Sequence, residues 1–102
     1  MNKLRILLVD DHVVMRDGLR RLIDGEADME VIDEATDGDE AVEKAVLATP
    51  DVAVLYVSMR RIAGPEAARR IRCLSPRTKV LGLAMHEDAS YVREMVDAGA
   101  AG

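Results

Sequence analysis

The chain has 102 residues and a net charge of −5, with 49% hydrophobic, 32% charged and 2% aromatic residues, proportions that describe one small acidic globular domain and exclude a disordered or fibrous chain. Phe and Trp are absent, so the core must come from Leu, Ile, Val, Ala and Met. Cys73 has no internal disulfide partner, and the apolar run after Lys3 and Arg5 stops at Asp10-Asp11, too short for a signal peptide or a membrane span; a reduced, cytoplasmic setting without membrane contact is expected.

Leu4 to Val9 is a continuous aliphatic run, the pattern of a central strand buried on both faces. Met15, Leu19, Leu22 and Ile23 then recur at helical spacing, with Arg16, Asp17, Arg20 and Arg21 opposite, until Gly25 stops the helix. Met29 to Ala35 mixes apolar and acidic residues and reads as a shorter edge strand. Thr36 with Asp39, or Asp37 with Glu40, caps a helix carrying Ala41, Val42, Ala45 and Val46, which Pro50 terminates by excluding helical geometry from Thr49. Asp51 to Val57 is the second central strand. Pro65 suits a helix N1 position after Gly64, with Ala67, Ile71 and Leu74 as its buried stripe, and Ser75-Pro76 ends that helix. Lys79 to Ala84 is another apolar strand, and Asp88 caps a last helix with Val92, Met95 and Val96 inward until Gly99.

Strands that alternate with helices imply a parallel sheet covered by helices, an α/β doubly wound fold. The order βαβαβαβα breaks off at Ala100-Ala101-Gly102, where a further strand and helix are expected. There is no repeat, low-complexity tract or linker.

In an open parallel sheet, ligands sit beyond the carboxyl ends of the strands. Those ends hold Asp10-Asp11, Tyr56 to Arg61, and Ala84 to Asp88. Adjacent carboxylates leaving a buried strand are costly unless paired, hydrogen-bonded or bound to a cation, and Mg²⁺ suits such oxygens; the plainer alternative is that Asp11 caps the first helix and Asp10 is solvated. Between Arg60 and Lys79 stand seven basic residues and one acid, so that stretch carries +6 and the remainder −11. No aromatic or helix-turn-helix pattern accompanies these charges, so a solvated helix face is preferred over direct nucleic-acid binding. His12 and His86 lack a Cys or His companion at ligand spacing and read as structural, and Cys73 as a small helix residue.

Ile6-Leu7-Leu8-Val9-Asp10-Asp11-His12, Glu34 through Ala41, Pro50 through Leu55, Gly64-Pro65-Glu66-Ala67 and Ala98 through Gly102 together resemble the receiver domain of two-component response regulators, of the NarL/FixJ-like kind. The resemblance spans essentially all 102 residues and implies a flavodoxin-like sheet of strand order 2-1-3-4-5, truncated here before its last strand and helix. It also implies a histidine kinase as partner, homodimerisation, and a C-terminal helix-turn-helix DNA-binding domain in the full-length protein. Members of the family accept a phosphoryl group on an Asp ending the third strand, assisted by Mg²⁺, a Ser or Thr after the fourth strand and a Lys after the fifth.

This sequence departs from that pattern. Asp10 and Asp11 match the metal-binding acids, but the acceptor position is Tyr56, the hydroxyl position is Ala84, and Arg60 replaces a Pro. A neutral phenol with a pKa near 10 neither binds Mg²⁺ well nor forms an acyl phosphate at pH 7. Ser58 and Asp51 are poor substitutes, because in-line positioning dominates phosphoryl transfer. The expectation is therefore a non-enzymatic pseudo-receiver without a cofactor, in which Asp10 and Asp11 form at most a weak Mg²⁺ site and Arg60 or Arg61 neutralises them with regulatory effect. The alternative is a conventional phosphoryl-accepting switch with residual Mg²⁺ chemistry. An enzyme or nucleotide-binding protein is disfavoured, since neither G-x-G-x-x-G nor a P-loop is present.

Overall fold

The computed structural model describes residues 3–56 and 64–83. Its elements run β1 (Leu4–Val9), α1 (Val13–Asp24), β2 (Met29–Ala35), α2 (Gly38–Ala48), β3 (Val52–Tyr56), α3 (Gly64–Leu74) and β4 (Lys79–Leu83). The four strands form one parallel sheet in the order β2-β1-β3-β4. This is a flavodoxin-like arrangement, and it agrees with the first four places of the expected 2-1-3-4-5. Ala84, Val57 and the helix expected after Asp88 lie outside the described residues.

β1 is the central strand, and its alternate side chains feed two cores. Leu7 and Val9 join Ala35, Ala53, Leu55 and Val80 under the helices α2 and α3, which contribute Ala41, Ala45, Ala67, Ala68 and Ile71. Ile6 and Leu8 point the other way with Val54, against Leu19 and Ile23 of α1. The alanines let α2 and α3 settle close to the sheet, so a core without Phe or Trp still closes. α1 packs on β1 and β2.

The apolar stripes read from sequence are wider than the surfaces they bury. Leu22 and Leu74, expected inward, are 71% and 60% exposed, and Val46 is 45% exposed. Val46 lies about 100° around the helix from buried Ala45, Leu74 is the last residue of α3, and nothing among the described residues covers Leu22.

The first helix is not capped by Asp11. His12 is the N-cap residue, without a side-chain capping bond. Asp37 does cap α2, accepting from the Glu40 N–H at 2.9 Å. At the other end of α2, Thr49 takes the left-handed conformation (φ 43°, ψ 60°), which costs a β-branched residue about 1–2 kcal/mol. The Arg5 guanidinium compensates by donating to Ala48 O at 2.9 Å and Thr49 O at 3.1 Å. Beside it, Pro50 O accepts from the buried Thr78 hydroxyl at 2.7 Å, and Thr78 Oγ1 lies 2.7 Å from Ser75 Oγ.

The β2 edge is blunted. A register shift opposite Ile6 and Leu7 sets Ile32 out of line, and the Asp24 carboxylate accepts the Val31 N–H at 2.8 Å. Irregularity and local side-chain bonding both discourage a further strand from adding there.

Candidate functional site

Val9 pairs with Leu55 in parallel register, so Asp10 and Tyr56 leave adjacent strands at the same carboxyl end. The chain order turns in opposite directions from β1 to β2 and from β1 to β3, and such a switch point opens a crevice beyond the strand ends. Burial of the strand carries Asp10 down with it: its side chain is 1% exposed, that of Asp11 13% and that of His12 58%. The solvated Asp10 considered from sequence is therefore corrected.

Local geometry fixes the acids. Asp10 Oδ1 accepts the His12 N–H at 2.8 Å, an Asx-type turn that carries the chain from strand to helix. The Asp10 N–H donates to Ala35 O at 3.1 Å, and Asp10 O accepts from the Arg16 guanidinium at 2.8 Å. The Nδ1 of His12 stands 3.0 Å from Asp10 Oδ1 and 2.9 Å from Asp11 Oδ1. The second Asp10 oxygen, Oδ2, is buried and has no hydrogen-bond partner among the described residues, which costs about 1–3 kcal/mol when nothing compensates. One donor atom from each of Asp10, Asp11 and His12 lies within 4.8 Å of the others. His12, read from sequence as structural, stands in this cluster with the two acids.

Beside the acids runs a band of paired charge. Arg16, placed by sequence on the helix face opposite the apolar stripe, is only 16% exposed and pairs with Glu34 at 3.2 Å. Arg20 reaches Glu34 at 3.3 Å, and Lys44 reaches Asp33 at 3.2 Å and Glu40 at 3.3 Å, besides donating to Glu34 O. Burial alone disfavours charge on Lys44, but the bonds to Asp33 and Glu40 outweigh it and hold its pKa above the ordinary value of 10.5. These cations are committed to neighbouring acids, so the groove that Arg20 and Lys44 line with Val31 and Ile32 is no open anion site.

The basic stretch is partly neutralised as well. Glu66 pairs with Arg69 at 3.4 Å and Arg70 at 3.2 Å, and Arg70 also faces Asp39 at 3.7 Å. Cys73 is exposed on α3. Asp51 precedes β3 at the opposite end of the strand and accepts the Arg5 N–H at 2.8 Å, far from the acid pair. Ser58, Arg60, Arg61, Ala84 and His86 lie outside the described residues.

The donor set fits Mg²⁺ poorly. Mg²⁺ demands oxygen ligands in near-ideal octahedral geometry, whereas here two carboxylates stand with an imidazole nitrogen between them, and β3 closes on Tyr56 rather than on a third acid. No helix among the described residues is long and apolar enough to cross a membrane.

Three comparisons bear on this arrangement. The sequence model of the response regulator receiver domain matches residues 6–102. Among curated proteins, the transcriptional regulatory protein DegU of Brevibacillus brevis is 38% identical over 101 residues, covering 99% of this chain and 43% of that protein. The oxygen regulatory protein NreC of Staphylococcus epidermidis is 38% identical, covering 97% and 46%. The chain thus spans less than half the length of these relatives. Among solved structures, the signal receiver domain of the response regulator NarL from Mycobacterium tuberculosis superposes with a TM-score of 0.95 at 32% identity, covering 100% of this chain and 82% of that one.

Proposed function

The chain belongs to the response regulator receiver domain family, and from that premise we propose that it is the regulatory domain of a NarL/DegU-type transcription regulator that works without accepting a phosphoryl group. The observation that carries the proposal is the residue ending β3. Tyr56 stands where the family resemblance implies the acceptor carboxylate, one strand from buried Asp10. An acyl phosphate needs a carboxylate oxygen as nucleophile, and a phenol protonated at neutral pH supplies neither that oxygen nor a hard metal ligand. Ala84, in the implied hydroxyl position, removes a further bond to phosphoryl oxygens.

Without phosphorylation, such a domain acts through contacts. Val13, Val14 and Leu22 of α1 are exposed, large apolar side chains left to solvent, which supports homodimerisation. The partners that follow are a second copy of the chain, a helix-turn-helix DNA-binding domain in a longer cytoplasmic protein, and a histidine kinase that docks without transferring its phosphoryl group. Arg60 and Arg61 would neutralise the acid pair, and this domain itself would not touch nucleic acid. The alternative, a conventional switch with residual Mg²⁺ chemistry, is favoured only by the retained Asp10 and Asp11.

Incubation of the protein with Mg²⁺ and acetyl phosphate, followed by intact mass measurement, tests the proposal. The expected result is an unchanged mass; a stoichiometric gain of one phosphoryl group that is lost at alkaline pH would establish the alternative.

A further inference from the structure

Unpaired charge of both signs gathers at the amino end of the sheet. A row of backbone bonds crosses that end: Leu4 N–H to Asp28 O at 2.8 Å, Asp51 N–H to Arg5 O at 2.9 Å and Lys79 N–H to Asp51 O at 2.9 Å. In the strand order β2-β1-β3-β4, the row sets Asp28 and Glu30 at one edge and Arg77 and Lys79 at the other, about 14 Å away over three strand spacings. All four side chains are exposed, and none has an ion pair or side-chain hydrogen bond among the described residues. Lys3 and Asp51, between them, carry opposite charges that cancel. Helices α2 and α3 run back against the strands and finish at this same end, where Arg5 donates to Ala48 O and Thr78 donates to Pro50 O. Because α2 lies on β2 and β1 and α3 on β4 and β3, Leu47 stands on the acidic side and Leu74 on the basic side, 78% and 60% exposed.

We propose that this amino end is a contact surface for a second copy of the chain, paired about a twofold axis along the sheet normal. That axis brings the basic β4 edge of each copy opposite the acidic β2 edge of the other, so every charge contact occurs twice. It also keeps the α2–α3 layers of the two copies on one side, which sets Leu47 of each copy opposite Leu74 of the other. The result is apolar contact flanked by complementary charge, the anatomy of a specific interface. A twofold axis lying across the strands in the plane of the sheet would set acid against acid and base against base, and like-charge juxtaposition rejects it. The partner is the second copy already proposed, but the surface is distinct from α1 and leaves the carboxyl ends of the strands, with Asp10 and Tyr56, open. It stands whether or not the chain accepts a phosphoryl group, since association is read by sedimentation and phosphoryl transfer by mass.

The test is sedimentation of the purified protein at pH 7.5 in salt from about 0.05 M to about 0.5 M. The expected result is a dimer at low salt whose association weakens at least tenfold at high salt. Arg77→Glu with Lys79→Glu leaves acids at both edges, and Asp28→Lys with Glu30→Lys leaves bases at both. Each double variant alone should associate at least tenfold more weakly than wild type, whereas an equimolar mixture of the two should form a heterodimer, because both of its charge contacts are then restored. Leu22→Lys, on α1, should leave the low-salt dimer within about twofold. A monomeric wild type at low salt, association that salt does not weaken, a mixture as weak as its components, or a dimer lost in Leu22→Lys but kept in both charge variants would overturn the proposal. Should a double variant lose its helix content by circular dichroism, Arg77→Ala and Asp28→Asn take its place; each should weaken the dimer at least threefold, and no change in either would overturn the proposal.

Discussion

Tyr56→Asp should make the stability of the domain depend on Mg²⁺. Residues 10 and 56 leave neighbouring strands at the same end, and adjacent strands lie about 4.8 Å apart. Carboxylates about 6 Å apart at the ends of neighbouring strands repel by about 3 kcal/mol at an effective dielectric of about 20. Against a domain stability of about 5–15 kcal/mol, that loss is plain in a urea titration at pH 7.5 with chelator present. Three carboxylates make an oxygen-only site for Mg²⁺. At a Mg²⁺ concentration about twentyfold above the dissociation constant of such a site, the folded state gains about 1.8 kcal/mol. The wild type, lacking the third acid, should gain no more than about 0.3 kcal/mol under the same conditions. Adding Ala84→Thr should then permit a phosphoryl mass gain from acetyl phosphate. If Tyr56→Asp and wild type respond to Mg²⁺ equally, position 56 does not face the acid pair and the assignment of the acceptor position is wrong.

Two further outcomes check the scaffold and its charges. Thr78→Val keeps the shape of a fully buried side chain but orphans the Pro50 carbonyl and the Ser75 hydroxyl; a loss of about 2–4 kcal/mol in urea unfolding is expected, with about 1 kcal/mol recovered when Ser75→Ala removes one orphan. A loss below about 0.5 kcal/mol would show that this buried network does not hold β3 to β4. Lys44 has its pKa raised in the folded state by Asp33 and Glu40, so its contribution is complete below pH 10.5 and fades as pH rises through the folded value. Being 30% exposed, it is worth no more than about 1 kcal/mol, and the stability gap between wild type and Lys44→Met should hold up to pH 10.5 and close above it; a gap that persists would mean that Lys44 acts through its methylenes instead.

Which parts of the molecule were legible in sequence follows from the range of the forces involved. The central strands were plain because burial on both faces demands unbroken aliphatic runs, as in Leu4–Val9. The Asp37 cap was plain because capping is local. The exposure of Leu22, Leu74 and Val46 was hidden because periodicity shows which way a side chain faces on its helix, and only tertiary packing decides whether anything lies opposite. Arg16 was misread for a related reason: its long stem lets the guanidinium fold back onto Asp10 O and Glu34, a contact between elements that no spacing rule encodes. In the site itself the acids were evident from sequence, while the approach of the His12 ring to both of them depends on the turn after β1 and was not.

The retained acid pair is weaker testimony to phosphoryl chemistry than its sequence implies. Asp10 takes part in four structural bonds: its N–H to Ala35 O, its carbonyl from Arg16, and its Oδ1 with both the backbone N–H and the ring Nδ1 of His12. These tie β1 to β2 and set the entry of α1, and they use the main chain of Asp10 together with a single oxygen, Oδ1. Removing the side chain costs the turn whether or not a metal or phosphoryl group ever binds, so the fold alone has reason to keep an Asp here. The other oxygen, Oδ2, has no such employment, and a residue kept for the turn alone could be Asn with an amide in that place. A buried oxygen without a hydrogen bond among the described residues is a cost that the turn does not require, and the case against phosphoryl transfer rests on Tyr56.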